Sequence, residues 1–368
     1  MRIRALERGA WALLTLLAAV WSAGPALAQA DDLQLTGGPR RCPTYPQPTC
    51  VCPDSSVPAA TSPGAPSTVE APPAVAELPT AVAGVQGGRG VAFGSYIDSA
   101  LIRSEVRFRF DAAYDDNRPD RAEFFYAKCG CFRAPGVRAP GPPLAETNVD
   151  YQDITAYLEY ALTPRFSLFV ETPQRFINPD VNANAEGFSD MNFGAKYALI
   201  SCPDQVLTLQ FRTYAPTGDS GLGLGNDHWS LEPGLLLWQQ LSDQFYLEAE
   251  LRDFIPVGGT DFAGNVLRYG IGFAYFLIGE PQLPGHHSDQ KLAVAPTLEF
   301  VGWTVLSGKE FAPDIGTKDA AGDTIVNAKF GLRINYGDHN SFAVSYGRAL
   351  TGTVWYKDII RVEYRLIF

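Results

Sequence analysis

Charged side chains at every second position are the residues of this chain with the clearest capacity for chemistry. In the stretch LIRSEVRFRFDAAY, Arg103, Glu105, Arg107, Arg109 and Asp111 alternate with largely apolar residues. A period of two places successive side chains on opposite faces of a β-strand, so one face is ionic and the other is apolar. Charges that line a narrow, low-dielectric lumen produce a stronger field than they would in bulk water. If such strands close into a barrel, the ionic face would line its lumen and give it a local electrostatic preference.

The arginines of this stretch allow two interpretations. Left unpaired, Arg103, Arg107 and Arg109 form a positive ladder that favours anions, although the whole chain is acidic. Alternatively, the arginines pair across the lumen and brace a nearly neutral interior, because a barrel of this size leaves little room for unpaired side chains. The carboxylates that could pair with them are Glu171, Glu248 and Glu250.

A His-x-Ser sequence is the strongest indication of an enzyme. His228 and Ser230 resemble the arrangement of outer-membrane phospholipases, whose site must face lipid on the outer wall of a twelve-stranded barrel. In this chain His228 and Ser230 lie on the same strand face as Glu232, which is the ionic face. Trp229 lies on the opposite face with Leu231, so the pair is predicted to point toward the lumen. The downstream Asn is also absent from LEPGLLLWQQL. A catalytic pair must lie where its substrate can reach it, and this pair is predicted on the wrong face. We therefore predict that the chain is not an enzyme.

All six cysteines lie outside the predicted strands. A lone CxC at 129–131 lacks the further ligands that a metal needs, so we predict no metal and no cofactor. Disulfides form in exported proteins, and the amino-terminal sequence predicts export. The candidates for disulfides, with open connectivity, are Cys42, Cys50, Cys52 and Cys202 on the periplasmic side and Cys129 and Cys131 in the first long loop.

The first 30 residues have the layout of a secretory signal. Arg2, Arg4 and Arg8 precede an apolar run over 10–20, and small residues follow at 26–30. No later segment offers the roughly 20 continuous apolar residues of a membrane helix. Any membrane-spanning structure must therefore consist of strands.

The remaining chain divides into two regions by composition. We predict a disordered, Cys-containing and Pro/Ala-rich periplasmic segment over 31–90, which could bind a periplasmic partner, and a barrel over 91–368. Residues 84–100 could be a terminal strand, a small plug or a lead-in to the barrel. The net charge of -11 argues against a nucleic-acid partner. The 35 Gly, 28 Pro and 2 Met residues suit strands and turns better than helices.

Alternation predicts twelve strands. They cover residues 102–114, 151–161, 165–173, 188–199, 206–214, 228–239, 245–254, 266–278, 291–303, 324–336, 341–350 and 357–368. Tight links alternate with mostly longer polar loops, with one long exception at 279–290. Short periplasmic turns, long extracellular loops and an even strand count are typical of a transmembrane antiparallel up-and-down β-barrel. We therefore predict this all-β fold in the bacterial outer membrane.

The two parities of the strands predict a polar lumen and a lipid-facing wall. The candidates for lining the lumen are Arg103, Glu105, Arg107, Arg109, Glu171, Lys196, Arg212, Glu232, Glu248, Glu250, Arg252, Lys329 and Arg333. On the opposite parity, Leu209 and Phe330 exemplify the residues expected to face lipid, whereas Gln210 and Lys329 are expected to face water. A soluble sandwich or barrel would instead bury the apolar parity in its core.

Aromatic residues near the predicted strand ends suit the interface girdle of a membrane barrel, or ordinary packing. They are Trp303, Tyr336, Tyr346, Trp355 and Tyr356.

The last strand resembles the carboxyl-terminal signal that the bacterial barrel-assembly machinery reads. Tyr364, Leu366 and Phe368 occupy its apolar parity. The segments GFSDMNFGAKYAL, TYAPTGDSGLGLGNDHWSLEPGLLLWQQL and LTPRFSLFVE resemble outer-membrane transporters of the phenol-degradation meta-pathway family, over roughly residues 100–368. That resemblance implies a barrel that passes small, often hydrophobic compounds, and it supplies no catalytic residues.

Together these patterns predict an outer-membrane channel for passive passage of small solutes, with membrane lipid, the assembly machinery and a small-molecule solute as partners. The alternative is a non-conducting barrel whose lumen is closed by ion pairs, acting as an envelope anchor or a surface-binding protein.

Overall fold

The computed structural model describes residues 92–117, 141–142, 144, 146–202, 204–259, 263–279, 292–312, 316–352 and 354–368. The predicted signal sequence, the 31–90 segment and five of the six cysteines lie outside the described residues. Those five are Cys42, Cys50, Cys52, Cys129 and Cys131.

The described chain is built from antiparallel strands. In chain order they are β1 (Glu105–Asp116), β2 (Val149–Thr163), β3 (Phe166–Pro179), β4 (Ala185–Phe188), β5 (Met191–Ser201), β6 (Gln205–Ala215), β7 (Trp229–Gln240), β8 (Phe245–Val257), β9 (Val266–Tyr275), β10 (Leu292–Val305), β11 (Lys309–Ala312), β12 (Gly316–Asp319), β13 (Thr324–Tyr336), β14 (Asn340–Ala349) and β15 (Asp358–Ile367). A short 3-10 helix spans Ser220–Leu222. No helix of the described residues is long and apolar enough to cross a membrane.

Twelve of these strands form a closed barrel, which confirms the predicted fold. Each strand pairs with its neighbour in sequence, except that β4, β11 and β12 lie outside the ring. The ring closes between β1 and β15, where Glu105 pairs with Ile367 and Tyr114 with Asp358. Closure satisfies the backbone hydrogen bonds of every edge, which a lipid environment requires.

The predicted strands differ from the observed ones most at three places. The strand expected over 165–173 continues to Pro179, because β2 pairs with it along this length. The strand expected over 188–199 is divided at Ser189 and Asp190, because the Asp190 carboxylate turns inward and accepts the backbone N–H groups of Gly218 and Asn226. The loop expected after β10 contains the β11–β12 hairpin, a separate two-stranded sheet.

Alternation along the strands gives the barrel an apolar exterior. Phe330 and Leu209 are 63% and 46% exposed, whereas their neighbours Lys329 and Gln210 are 3% and 0% exposed. A soluble sandwich or barrel would bury the first pair, so the observed register excludes that alternative. The outer wall has the apolar face of a membrane barrel. Further outward residues are Leu168, Phe193, Phe211, Leu235, Leu251, Ile271, Leu298, Phe300, Leu332 and Val344.

Replacing Phe330 by Arg should destabilise the folded barrel. Phe330 lies near the middle of β13, and a cation at the bilayer midplane costs about 2 to 4 kcal/mol. Phe330→Leu is the matched control because it changes the size of the side chain but keeps it apolar. Denaturant unfolding in lipid vesicles would measure both variants. Equal stability of the two variants would show that Phe330 does not face lipid.

The two ends of the barrel differ. At one end, here called the turn end, tight turns join β2 to β3, β5 to β6, β7 to β8 and β13 to β14. The opposite end, here called the loop end, carries longer connections that are tied together by polar side chains. The Glu146 carboxylate accepts the backbone N–H groups of Thr147, Val181 and Asn182 at 2.9–3.0 Å. Burial would raise the pKa of Glu146, but these hydrogen bonds, led by those from Asn182, lower it.

Candidate functional site

Residues 92–102 form a plug inside the barrel, directly before β1. Phe93, Ile97 and Leu101 are each no more than 2% exposed. The plug has no strand pairing. Its carbonyl and N–H groups bond instead to side chains of the barrel wall. The sequence left three possibilities open for residues 84–100. For residues 92–100, the part that the structure describes, the plug is the one observed.

Three carboxylates bind the backbone N–H groups of five consecutive plug residues. Glu248 accepts the N–H of residue 94 at 2.7 Å, and Glu250 accepts that of residue 98 at 2.9 Å. Glu299 accepts the three between them, from Ser95, Tyr96 and Ile97, at 2.9–3.0 Å. Buried N–H groups need partners, so acidic residues of β8 and β10 replace the strand neighbour that the plug lacks.

Arginines of β13 and β15 bind the plug carbonyls. Arg333 donates to the carbonyls of Phe93 and Gly94 at 2.9 and 3.1 Å, and Arg365 donates to the Gly94 carbonyl at 2.6 Å. Arg361 donates to the carbonyl of Ser95. The charged wall therefore binds both kinds of backbone group on the same short segment.

Asp98 adds a charged contact between the plug and the wall. Its carboxylate accepts hydrogen bonds from Arg212 at 2.6 Å, Arg252 at 2.9 Å and the Gln210 amide at 3.2 Å. It is the one acidic residue of the plug, and its partners lie on β6 and β8. This contact explains why Gln210, expected to face water, is fully buried.

Inward-facing glycines of β9 make room for the apex of the plug. A Cβ atom added at Gly270 or Gly272 would lie 3.1 Å from side-chain atoms of Ile97. In the plug, a Cβ atom at Gly94 would lie 2.5 Å from the Glu248 carboxylate. The GIG sequence of β9 was therefore a signal that a bulky group fills the lumen beside it.

An apolar cluster closes the lumen at the turn end. Plug residues Phe93, Leu101 and Ile102 pack with inward side chains of several strands, and all are buried. The Trp238 and Tyr246 rings lie 5.5 Å apart between centroids at a tilt of 35°, and Tyr246 meets Phe276 edge to face at 5.4 Å. The remaining members of this turn-end cluster are Ala92, Ala100, Ala161, Ala198, Val206, Leu236, Ala274, Ala293 and Ala295.

On the loop side of the plug is a cavity of about 200 Å³, here called the vestibule. The plug contributes Tyr96 to its lining, and ten charged side chains from the barrel wall also line it. Its other aromatic lining residues are Tyr151, Tyr214, Trp303, Trp355 and Tyr356.

Three of the aromatics for which an interface girdle and ordinary packing were both open lie inside the barrel. Trp303, Trp355 and Tyr356 are 6–9% exposed, and the Trp303 ring meets Trp355 and Tyr356 edge to face at 5.3 and 6.4 Å. For these three residues the packing alternative holds and the girdle alternative does not, because they pack against each other in the vestibule. Tyr336 and Tyr346 do lie on the outer wall, at 61% and 45% exposed.

The first-strand arginines have carboxylate partners. Arg103 contacts Glu105 at 2.6 Å, and Arg107 and Arg109 approach Glu171 at 3.6 and 3.5 Å. Arg109 also contacts Asp111 at 3.2 Å, and the Arg107 guanidinium lies 4.1 Å from the Tyr157 ring centroid. Of the three carboxylates suggested as braces, Glu171 is placed beside these arginines, whereas Glu248 and Glu250 bind the plug.

The other predicted lumen residues also point inward. Lys196 pairs with Glu159 at 2.8 Å, and Arg252 pairs with Glu232 and Glu250 at 2.9 and 2.8 Å. Lys329, expected to face water, is surrounded by aromatic rings. The functional residues that alternation missed are those of the plug, Asp98 and Tyr96 above all, because they precede the first strand.

The remaining chemical candidates do not form a lipid-facing site. His228 and Ser230 are 6% and 1% exposed inside the barrel, and Trp229 is 47% exposed on the outer wall. Cys202 lies in the turn between β5 and β6 and is half-buried. Within the described ranges, no group of three or more His, Cys, Asp or Glu side chains could hold a metal ion.

Comparison with known proteins gives one family match. The model of the family described as "Putative MetA-pathway of phenol degradation" matches residues 141–252. This match confirms the resemblance predicted from the sequence over that part of the chain. No curated protein matches the chain.

Several solved structures are similar in strand arrangement. The COG4313 outer membrane channel from Pseudomonas putida F1 has a TM-score of 0.44 and 15% identity, covering 76% of this chain and 100% of that one. The NanC porin has a TM-score of 0.38 and 8% identity, covering 72% and 98% of the two chains. The KdgM porin has a TM-score of 0.37 and 10% identity, covering 72% and 99%. At TM-scores below 0.5, these similarities carry no argument about function.

The closed ring and its apolar exterior define the environment of the protein. Lipid-exposed barrels of antiparallel strands reside in the bacterial outer membrane, where closure leaves no backbone group unpaired. The chain is an outer-membrane β-barrel with a plugged, charged interior.

Proposed function

We propose that the barrel is a channel for passive passage of small solutes, and that displacement of the plug opens it. The observation that carries this proposal is that side chains of the barrel wall, and not a neighbouring strand, bind the plug backbone. Its polar groups bond to side chains and not to a strand ladder, so the barrel is complete without it. Movement of residues 92–102 would leave all twelve strand pairings intact.

Water can replace the bonds that hold the plug. The Glu, Arg and Gln groups around it are ionic or polar and can be hydrated, although each hydrogen bond to a charged group still favours the plugged state by about 1.5 to 3 kcal/mol net of water. Withdrawal of the plug would leave these groups facing a hydrated lumen. The apolar turn-end cluster opposes withdrawal, because Phe93, Leu101 and Ile102 would leave their packing partners.

The family match supports small solutes as cargo. The matched model is described by a pathway of phenol degradation, and we extend this to small, hydrophobic compounds as the solute class of this channel. Assembly through Tyr364, Leu366 and Phe368, and a periplasmic partner for residues 31–90, belong to the same proposal.

The second candidate function is a non-conducting barrel that anchors the segment before the plug. The observation that favours it is the turn-end cluster, which closes the lumen with buried apolar side chains. In that case the plug would be a permanent filling of the barrel. Residues 31–90 would then extend from a fixed attachment point to a periplasmic or surface-bound partner.

Single-channel recording of the refolded full-length protein in planar bilayers separates the two candidates. A channel with a mobile plug should show brief openings whose current rises linearly with voltage. An anchor should be silent. Silence of correctly folded protein, and also of variants with a weakened plug, would overturn the channel proposal.

A further inference from the structure

The vestibule contains a lysine whose environment differs from that of every other charged group around it. Ten charged side chains line the cavity, and nine of them bond to an opposite charge or to backbone N–H groups. Lys329 is the tenth. Among the described residues, its ammonium nitrogen has no hydrogen bond and no carboxylate oxygen within 4 Å.

Aromatic rings are the contacts that Lys329 does make. Its ammonium nitrogen lies 3.4 Å from the ring centroid of Tyr96, 5.2 Å from that of Tyr356 and 5.5 Å from that of Trp303. Ring faces attract a cation but accept none of its three N–H donors in the manner of an oxygen. The side chain is 97% buried, and buried cations are normally paired with an anion.

The carboxylates nearest to this site are already engaged. Asp111 forms a two-point contact with Arg361 at 2.6 and 2.8 Å, and Glu299 binds the plug backbone. Glu250 is held by Arg252 at 2.8 Å. An anion for Lys329 must therefore come from outside this set of residues.

We propose that Lys329 is the anion-binding residue of a ligand site in the vestibule, and that its ligand is a small monocarboxylate with a flat apolar body. The carboxylate would accept hydrogen bonds from the ammonium group, and the apolar body would lie against Trp303, Trp355 and Tyr356. A cavity of about 200 Å³ suits one ring, since an apolar cavity of about 150 Å³ holds benzene. The part of the lining around Lys329 combines one cation with aromatic rings, and a charged group beside apolar surface is typical of ligand sites.

The ligand site also includes the plug. Tyr96 supplies the ring nearest to the ammonium nitrogen, and its backbone N–H is bound by Glu299. A carboxylate that draws Lys329 away from Tyr96 would therefore weaken one contact between the plug and β13. The site would serve the channel proposed above as its entry site, but binding to it can be measured without transport.

Titration calorimetry of the full-length protein in detergent tests the site with benzoate as the probe. Benzamide, which has the same ring without the charge, and acetate, which has the charge without the ring, are the comparison ligands. Wild type should bind benzoate at least tenfold more tightly than either. Equal binding of benzoate and benzamide by wild type, or no benzoate binding, would overturn the proposal and needs no variant.

Substitutions then assign the binding to Lys329. Lys329→Met should lower the benzoate affinity about tenfold, to the benzamide value, whereas Lys329→Arg should retain most of it. Lys357→Met is the matched control, because it removes an exposed positive charge near the loop end. Folding of each variant is checked by heat-modifiable gel migration. Retention of wild-type benzoate affinity by folded Lys329→Met would refute the assignment.

The outcomes for binding and for transport are separable. Benzoate binding by a protein that is silent in bilayers, and whose variants with a weakened plug are silent too, would support the ligand site and contradict the channel. A protein that conducts in bilayers but does not bind benzoate more tightly than benzamide would support the channel and contradict the ligand site.

Discussion

Replacing Glu299 by Ala should increase the open probability of the channel about 100-fold. Glu299 accepts three consecutive backbone N–H groups of the plug and also the Ser95 hydroxyl at 3.2 Å. Without the carboxylate, these donors are left unpaired in the plugged state but are solvated when the plug moves. A loss of roughly 3 kcal/mol from the plugged state corresponds to about two powers of ten in its population.

The measurement is the fraction of time that single channels spend open in planar bilayers. Thr297→Ala is the matched control, because Thr297 lies two residues away on the same buried face of β10. It should leave the open probability unchanged. If Glu299→Ala folds and its open probability equals that of the control, the plug does not gate the channel.

Removing both Arg107 and Arg109 should destabilise the barrel by about 3 to 5 kcal/mol. Both guanidinium groups lie beside Glu171, which is buried, and loss of the cations leaves that carboxylate without its first-strand partners. Breaking a buried pair from one side costs about this much, and Glu171 would keep only Arg212 at 3.8 Å and the Asn192 amide at 3.2 Å as partners. Arg107→Gln with Arg109→Gln is the variant, and denaturant unfolding in lipid is the measurement.

An exposed ion pair provides the control for this prediction. Arg348 contacts Asp358 at 3.1 Å, but its side chain is 57% exposed, so Arg348→Gln should leave the stability close to that of wild type. If the double variant is as stable as wild type and its reversal potential in a salt gradient shifts toward cations, the arginines form a selective ladder and not a brace. No change in either property would exclude both roles.

The barrel could be predicted because alternation is a property of each strand by itself. β13 was predicted with its observed ends, Thr324–Tyr336, because apolar and polar residues alternate through most of its length. Closure follows from an even number of such strands with no other partner for the two edges. Register could also be predicted, since a shift by one residue would turn Phe330 inward and Lys329 toward lipid.

The plug could not be predicted because its bonds leave no periodic pattern. Residues 92–102 read AFGSYIDSALI, and their backbone is bound by side chains that are 108 to 271 residues away in sequence. Several of the charges that bind it were predicted as lumen residues, but their partners were not; these charges are Arg212, Glu248, Glu250, Arg252 and Arg333. The inward orientation of Trp303 could be predicted, because Trp303 and Glu299 are four residues apart on β10 and so lie on the same face. The orientation of Trp355 and Tyr356 could not be predicted, because both lie in a loop, where side chains do not alternate.

A reversible covalent lock on the plug tests the gating mechanism most directly. The Ser95 and Ser345 hydroxyl oxygens lie 3.1 Å apart, one on the plug and the other on β14. The two side chains therefore point at each other, which is the orientation that a disulfide between these positions requires. In the double variant Ser95→Cys with Ser345→Cys, oxidation should abolish the openings, and a reducing agent should restore them to the level of the same channel before oxidation. The single variant Ser95→Cys should not respond to oxidation. Undiminished openings in channels whose cross-link has been verified by mass spectrometry would contradict passage by plug displacement.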